Sequence, residues 1–317
     1  MKTAHPAALP APFPETTVHE RVRAAFQAGL ALVPGLESRL AGALRQTLDH
    51  PGNMVRARLV YQISLAYGMA EAPALNLAVA MEYFHTASLL FDDLPCMDDA
   101  EERRGVACVH RVHGESAAML AALALINRAY ALLWTAIHEA PPETRLRATR
   151  LVETCLGLGG VLNGQSLDLH DPGRVRSGRQ VMTVAMGKTV ALIRMTLVLP
   201  ALLGGAGPVE LRLLQRLAVF WGLSYQMLDD LKDLFETSDA TGKTGRRDAS
   251  LNRPNLALAE GALRTLARLR RLVRLADGVL ARLGHGPINW TFLGELRNRL
   301  AGELQQFANL PRTQALS

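Results

Sequence analysis

FDDLPCMDDAEERRG, from Phe91 to Gly105, places four aspartates and an arginine pair directly behind an apolar, helix-like run. A second acidic stretch, DDLKD from Asp229 to Asp233, closes another apolar run 137 positions further on. Carboxylates grouped this tightly repel one another and are costly to hold beside an apolar interior. A hard divalent cation is the usual compensation, and clustered aspartate oxygens suit Mg2+.

Spacing sharpens this reading. Asp229 and Asp233 are four apart, so on an α-helix their carboxylates share a face. Asp92 and Asp98 are six apart and would diverge on a straight helix. Pro95 between them predicts a helix end that folds Asp98 or Asp99 back towards Asp92. One such cluster reads equally well as a solvated acidic cap. Two clusters, each on an apolar helix and one followed by Arg103-Arg104, point to a site that handles metal and anion together.

The remaining composition sets bounds. A chain of 317 residues is long enough for two domains or for one large helical domain. Its 49% hydrophobic and 20% charged residues describe a globular protein with a sizeable core. Few aromatics and abundant Leu, Ala and Arg favour helix over sheet. A net charge of +6 suits a polyanionic ligand: nucleic acid, an anionic membrane surface or a diphosphate. Much of the excess lies on helix faces, as at Arg264, Arg268, Arg270, Arg271 and Arg274, without the interleaved aromatics of a single-strand binder, so no nucleic-acid partner is expected. Cys96, Cys108 and Cys155 have neither metal-ligand nor disulfide spacing, which suits a reducing, cytoplasmic setting. The apolar run from Val190 to Leu203 is interrupted by Arg194 and Pro200 and is too short to span a membrane.

Along the chain, residues 1–16 are proline-rich and read as a flexible arm rather than a signal peptide. Helical periodicity follows over Val18–Leu48 and again after the His50-Pro51-Gly52-Asn53 break. Further helices are expected over Pro73–Leu94, Gly114–His138, Leu151–Leu169, Leu211–Leu234 and 256–308, with a polar loop from Glu236 to Asn255. The fold class is all-α.

Taken with its neighbours, the pattern resembles the trans-isoprenyl diphosphate synthases. His85 through FDDLPCMDDAEERRG is similar to that family's first aspartate-rich motif in its longer form, and YQMLDDLKD, Tyr225 to Asp233, to the second. The likeness runs from about residue 20 to the end. It implies a single large helical bundle of the isoprenoid synthase type around a central apolar cavity, over residues 17–310 with a tail at 311–317. It also implies a homodimer. The implied reaction is Mg2+-dependent head-to-tail condensation of an allylic diphosphate with isopentenyl diphosphate, giving an all-trans prenyl diphosphate.

Residue by residue, the resemblance implies two or three Mg2+ ions between Asp92, Asp93 and Asp98 (or Asp99) on one wall and Asp229, Asp230 and Asp233 on the other. Arg103, Lys188 and Lys243 would hold the allylic diphosphate, and Arg56, His85 and Arg104 the homoallylic one. Thr189 and Gln226 are further substrate contacts. Gln165 and Asp168 would orient metal-bound water or the substrate tail. Arginine suits diphosphate because its planar fork donates to two oxygens at once.

Three departures from the family pattern stand out. Asn53 replaces a lysine that binds the homoallylic diphosphate, Ala122-Leu123 replaces a Gly-Asp pair, and Arg253-Pro254 replaces Lys-Ser or Lys-Thr. Ala87 and Ser88 stand five and four residues before the first aspartate, where the family partly sets chain length, and with both small the resemblance implies a product of C20 or longer, geranylgeranyl diphosphate. Two other readings stay open at this point. One is a terpene-synthase-like enzyme that ionises a prenyl diphosphate without adding isopentenyl diphosphate. The other is a non-catalytic regulatory subunit of a heteromeric synthase.

Overall fold

The computed structural model describes residues 15–170, 177–235 and 253–307. The expected tail and Lys243 with its loop as far as residue 252 lie outside these residues, as does the arm apart from its last two positions. The organising helix is α4 (Glu71–Asp92), buried on almost every side by Ala74, Leu77, Ala78, Ala80, Met81, Tyr83 and Ala87. A helix that is apolar all round belongs inside a core. Before it come α1 (Glu15–Ala28), α2 (Ser38–Asp49) and α3 (Val55–Ala66). After α5 (Val109–His113), helix α6 (Glu115–His138) packs along α4 through Ala117, Ala118, Ala121, Ala122 and Ala129, whose small side chains permit close approach. Thus Ala122, at the departure from the family's Gly-Asp pair, is core, while Leu123 beside it faces outward.

α4 ends where Pro95 predicts. The Asp98 amide donates to the Asp92 carbonyl at 2.9 Å and the Ala100 amide to Asp93 at 3.1 Å, folding the chain back over the helix end. A minimal hairpin follows, β1 (Glu102–Arg103) against β2 (Val106–Ala107). Its two-residue turn, Arg104-Gly105, has φ of +58° and +77°, the positive pair that a right-twisted hairpin requires. It is the one strand pairing among the described residues, and the all-α class stands.

α7 (Pro142–Leu156) and α8 (Val161–His170) replace the single helix expected over Leu151–Leu169, with Gly157, Gly159 and Gly160 between them. α9 (Gly178–Ala185) runs through a π-helical turn at Met186–Val190 into α10 (Ala191–Leu203). Then come α11 (Pro208–Phe235), α12 (Leu256–Glu260), α13 (Ala262–Leu283) and α14 (Leu293–Gln306). One main apolar cluster extends from Val18 on α1 to Phe307 past α14, so these helices share a core rather than dividing between two.

Glu115–His138 and Gly178–Leu203 are each long and apolar enough to cross a membrane. The second exceeds the run read from the sequence because the π turn joins α9 to α10. Both pack against other helices of the bundle, and the second carries Lys188 and Arg194.

Candidate active site

Helix ends deliver the acidic groups. Asp92 is the last residue of α4, and Asp93 follows as its cap. The buried Asp93 carboxylate is gripped by Arg103 from the hairpin, whose Nε donates at 2.9 Å and whose Nη2 donates to the same oxygen. Asp92 accepts from Gln165 Nε2 on α8 at 2.8 Å. Burial pushes the Asp92 carboxyl up to about 6; Lys188 and Arg103 oppose this, while Asp98 and Asp168 reinforce it.

The turn sorts the next two aspartates. Asp98 accepts from Arg253 Nη2 at 2.8 Å and raises the Asp92 pKa from close by. Asp99, at φ +46°, is exposed and pairs with Arg111 at 3.3 Å. Asp98 is therefore the aspartate that joins Asp92. Arg253 also donates to the Met97 carbonyl at 2.7 Å and the Asp168 carbonyl at 3.3 Å, tying the start of α12 to the first acidic stretch.

Lys188 projects from the π turn onto Asp168 of α8, with Nζ 2.5 Å from Oδ2. Burial works against its charge, but Asp168, Asp92 and Asp98 outweigh burial and raise its pKa. Gly164 and Gly187 make this approach possible: a Cβ on Gly164 would lie 2.2 Å from the Lys188 amide nitrogen. Thr189, the next residue, faces the opposite way and donates to Gln226 Oε1 on α11 at 2.7 Å.

On the second wall, Asp229 is exposed and Asp233 half-buried, on the shared face their spacing predicts. Asp230 is placed differently from its neighbours. It is fully buried, and its two oxygens accept from Gln226 Nε2 at 2.9 Å and the Leu256 amide at 2.7 Å. It ties α12 to α11. Gln226 has both ends of its amide engaged inside the protein, linking Thr189 to Asp230.

Among the described residues, no three acidic, His or Cys side chains come close enough to cage a metal ion by themselves. The donor set nevertheless fits Mg2+. All its atoms are carboxylate oxygens on two walls, and Asp92 carries a desolvation cost that a cation would relieve. Mg2+ commonly takes one or two carboxylates and completes its shell with water and substrate phosphates.

Behind the first wall is a cavity of about 360 Å³ lined by Gly52, Asn53, Arg56, His85 and Arg104, with Arg299 and Glu303 of α14 on another side. Arg56 Nη1 donates to His85 Nε2 at 3.1 Å. A guanidinium only donates, so Nε2 accepts and the imidazole is neutral. Burial, then Arg56, Arg104 and Arg103, hold His85 well below the usual imidazole range. Arg104 Nη1 reaches the His50 carbonyl at 3.2 Å and lies across Gly52, where a Cβ would come within 2.3 Å of its Cζ. Three cationic or neutral donors thus face one cavity.

Glu82, on α4 one turn before His85, went unnoticed in the sequence. It lines the same cavity while fully buried, and burial pushes its carboxyl up against the pull of Arg56, Arg104, the Ala57 amide and Arg58. Its signal was a lone carboxylate in an apolar helix, three residues before a histidine and so on the same face. The ion pair from Lys232 to Glu303, 2.8 Å, was missed as well.

Residues 37–274 match the family described as polyprenyl synthetase. The chain is 33% identical over 250 residues to a geranylgeranyl diphosphate synthase of Pseudescherichia vulneris, covering 78% of this chain and 80% of that protein. It is 32% identical over 273 residues to a chloroplastic geranylfarnesyl diphosphate synthase of Leucosceptrum canum, covering 85% and 74%. In fold it resembles a geranyltransferase from Helicobacter pylori complexed with magnesium and isoprenyl diphosphate, with TM-score 0.75, 24% identity and coverage of 92% and 96%. It also resembles an FPP/GFPP synthase from Zymomonas mobilis, with TM-score 0.72, 23% identity and coverage of 93% and 95%.

Proposed function

Because the chain belongs to the polyprenyl synthetase family and is a prenyltransferase, we propose that it condenses an allylic diphosphate with isopentenyl diphosphate to give geranylgeranyl diphosphate. The observation that carries this reading is the cavity lined by basic side chains. Arg56, His85 and Arg104 line one cavity beside the acidic walls, as a two-substrate reaction needs. The terpene-synthase-like alternative draws on Asn53, but an enzyme of that kind has no use for these three donors. A regulatory subunit would need neither acidic wall.

Asp92 and Asp98 on one wall, and Asp229 and Asp233 on the other, are the residues we assign to Mg2+. The metal, when bound, neutralises charge on the leaving diphosphate. The protein's own part is to place fixed cations where that charge develops. Arg103 is held by Asp93 and Lys188 by Asp168, so both are oriented before substrate arrives. The allylic C–O bond breaks with its electron pair leaving on diphosphate. The double bond of isopentenyl diphosphate, held by Arg56, His85 and Arg104, attacks the cation. The departed diphosphate takes the proton that restores an alkene. Surrounding apolar helices exclude water that would quench the cation.

The C20 assignment draws on α4. Ala87 is buried in the core, and the Ser88 hydroxyl is tied back to the His85 carbonyl at 2.8 Å, so neither presents bulk to a growing chain. The homodimer draws on α6, whose outer face exposes Met119, Leu120 and Leu123 one turn apart, with Trp134 further along. We place the enzyme in the cytoplasm, where its three free thiols would persist.

The test is incubation with Mg2+, labelled isopentenyl diphosphate and each of dimethylallyl, geranyl and farnesyl diphosphate. Labelled C20 diphosphate is expected. Arrest at C15 with excess isopentenyl diphosphate refutes the chain length, and unlabelled hydrocarbon with released diphosphate refutes the condensation.

A further inference from the structure

Asn53 leaves the homoallylic cavity one cation short, and α14 brings another into it. Arg299, half exposed, lines the same open-mouthed cavity as Asn53, Arg56, His85 and Arg104, although it lies 246 positions from Asn53 in the chain. The plain reading of Arg299 is a surface ion pair with Glu303, one turn along α14, at 3.1 Å. Such pairs contribute little. Two observations argue for more.

Glu303 does not depend on Arg299. It is mostly covered, and it already receives Lys232 Nζ at 2.8 Å from the second acidic stretch. Arg299 uses only Nε on Glu303, and its two terminal nitrogens make no bond among the described residues. The donors of its fork that suit phosphate oxygens are thus left over. The helix that carries it is also fixed in place: its Leu293 and Leu300 are buried in the core, and Lys232 of α11 binds Glu303 at 2.8 Å. The guanidinium is therefore held at the cavity wall by the fold and by its own carboxylate.

On the functional reading above, we propose that Arg299 supplies the positive charge that Asn53 withholds, gripping the diphosphate of isopentenyl diphosphate from the side of α14. The site is thereby closed by a residue from the opposite end of the chain, and Glu303 with Lys232 links that grip to the helix bearing Asp229 and Asp233.

The experiment measures isopentenyl diphosphate binding by calorimetry in EDTA, where metal-dependent sites are silent, alongside its KM in the condensation. Arg299→Ala should weaken both about tenfold or more, as expected for one lost charge-assisted contact, and leave the KM of the allylic substrate unchanged. Adding Asn53→Lys to Arg299→Ala should restore affinity to within about threefold, which a merely structural role for Arg299 would not allow. Unchanged affinity in Arg299→Ala overturns the proposal, as does failed restoration in a double variant that melts like the parent. Binding by the unaltered protein without an elongated product would defeat the condensation reading while leaving Arg299 tested by the binding data. Absence of binding by the unaltered protein would overturn both.

Discussion

Gly52→Ala separates what the chain's shape contributes to the basic cavity from what its charges contribute. Gly52 has φ +71°, and an added Cβ would sit 2.3 Å from Arg104 Cζ and 2.4 Å from Nη1. The backbone term is about 1–2 kcal/mol for an L-residue in the left-handed region, less roughly 0.4–1 kcal/mol from the stiffer unfolded chain. That leaves about 1 kcal/mol, or roughly 1–2 °C in Tm for a chain of this length. The contact term is larger. The Arg104 guanidinium must swing aside and give up its bond to the His50 carbonyl, and that guanidinium is the part of Arg104 offered to the ligand. Losing its charge-assisted bond to a diphosphate is worth about 1.5–3 kcal/mol, so the KM for isopentenyl diphosphate should rise about tenfold to a hundredfold. Gly35→Ala is the control, because Gly35 has φ +81° with nothing within 4 Å of an added Cβ. It should lose Tm and leave KM alone. A Gly52→Ala enzyme whose KM stays within about twofold of the parent, or a Gly35→Ala enzyme whose KM rises equally, would refute the reasoning.

Asp92 costs the metal-free protein stability. Its folded pKa of about 6 lies above the ordinary 3.8, so the cost is absent below the ordinary value, grows as pH rises between the two, and is complete above about 6. Asp92→Asn should therefore raise the Tm of metal-free protein at pH 7.5, by the equivalent of about 1–3 kcal/mol, while abolishing condensation; a lower Tm at that pH contradicts this. The two neighbouring aspartates of the second wall should part company. Asp229→Asn should lower kcat at least about a hundredfold and raise the Mg2+ concentration needed, with Tm unchanged. Asp230→Asn should cost about 1–3 kcal/mol in urea unfolding, by setting an amide against the Leu256 N–H, with the Mg2+ requirement unchanged. Ser88→Phe should shorten the principal product below C20, as read by chromatography of the dephosphorylated alcohols.

The acidic walls were legible because their signals are local. Pro95 marks the end of α4, and a spacing of four puts Asp229 and Asp233 on one face whatever the rest of the chain does. The setting of Asp230 was not legible for a related reason. Counting along α11 says where its carboxylate points but not that the Leu256 amide arrives to meet it. Glu82 lay within reach of the same face-counting, one turn from His85, but its identity as a buried carboxyl among arginines depends on α3 and the hairpin. Arg299 could not be read at all, since its place in the cavity is set by the packing of α14 against α11 and α13. Periodicity likewise passed over the π turn, because one extra residue does not disturb an apolar run.

That turn restricts how this gene can vary in length. One residue inserted into a helix rotates everything beyond it by about 100°. Within Met186–Val190 the rotation is what lets Lys188 face α8 and Thr189 face α11 while α10 keeps its apolar side in the core. Deleting any one of these five codons would regularise the helix and turn either the lysine or the whole of α10 away from its partners. A deletion scan of the gene should therefore find this stretch intolerant even where substitutions are accepted, an indel-sensitive seam within a long and otherwise forgiving apolar helix.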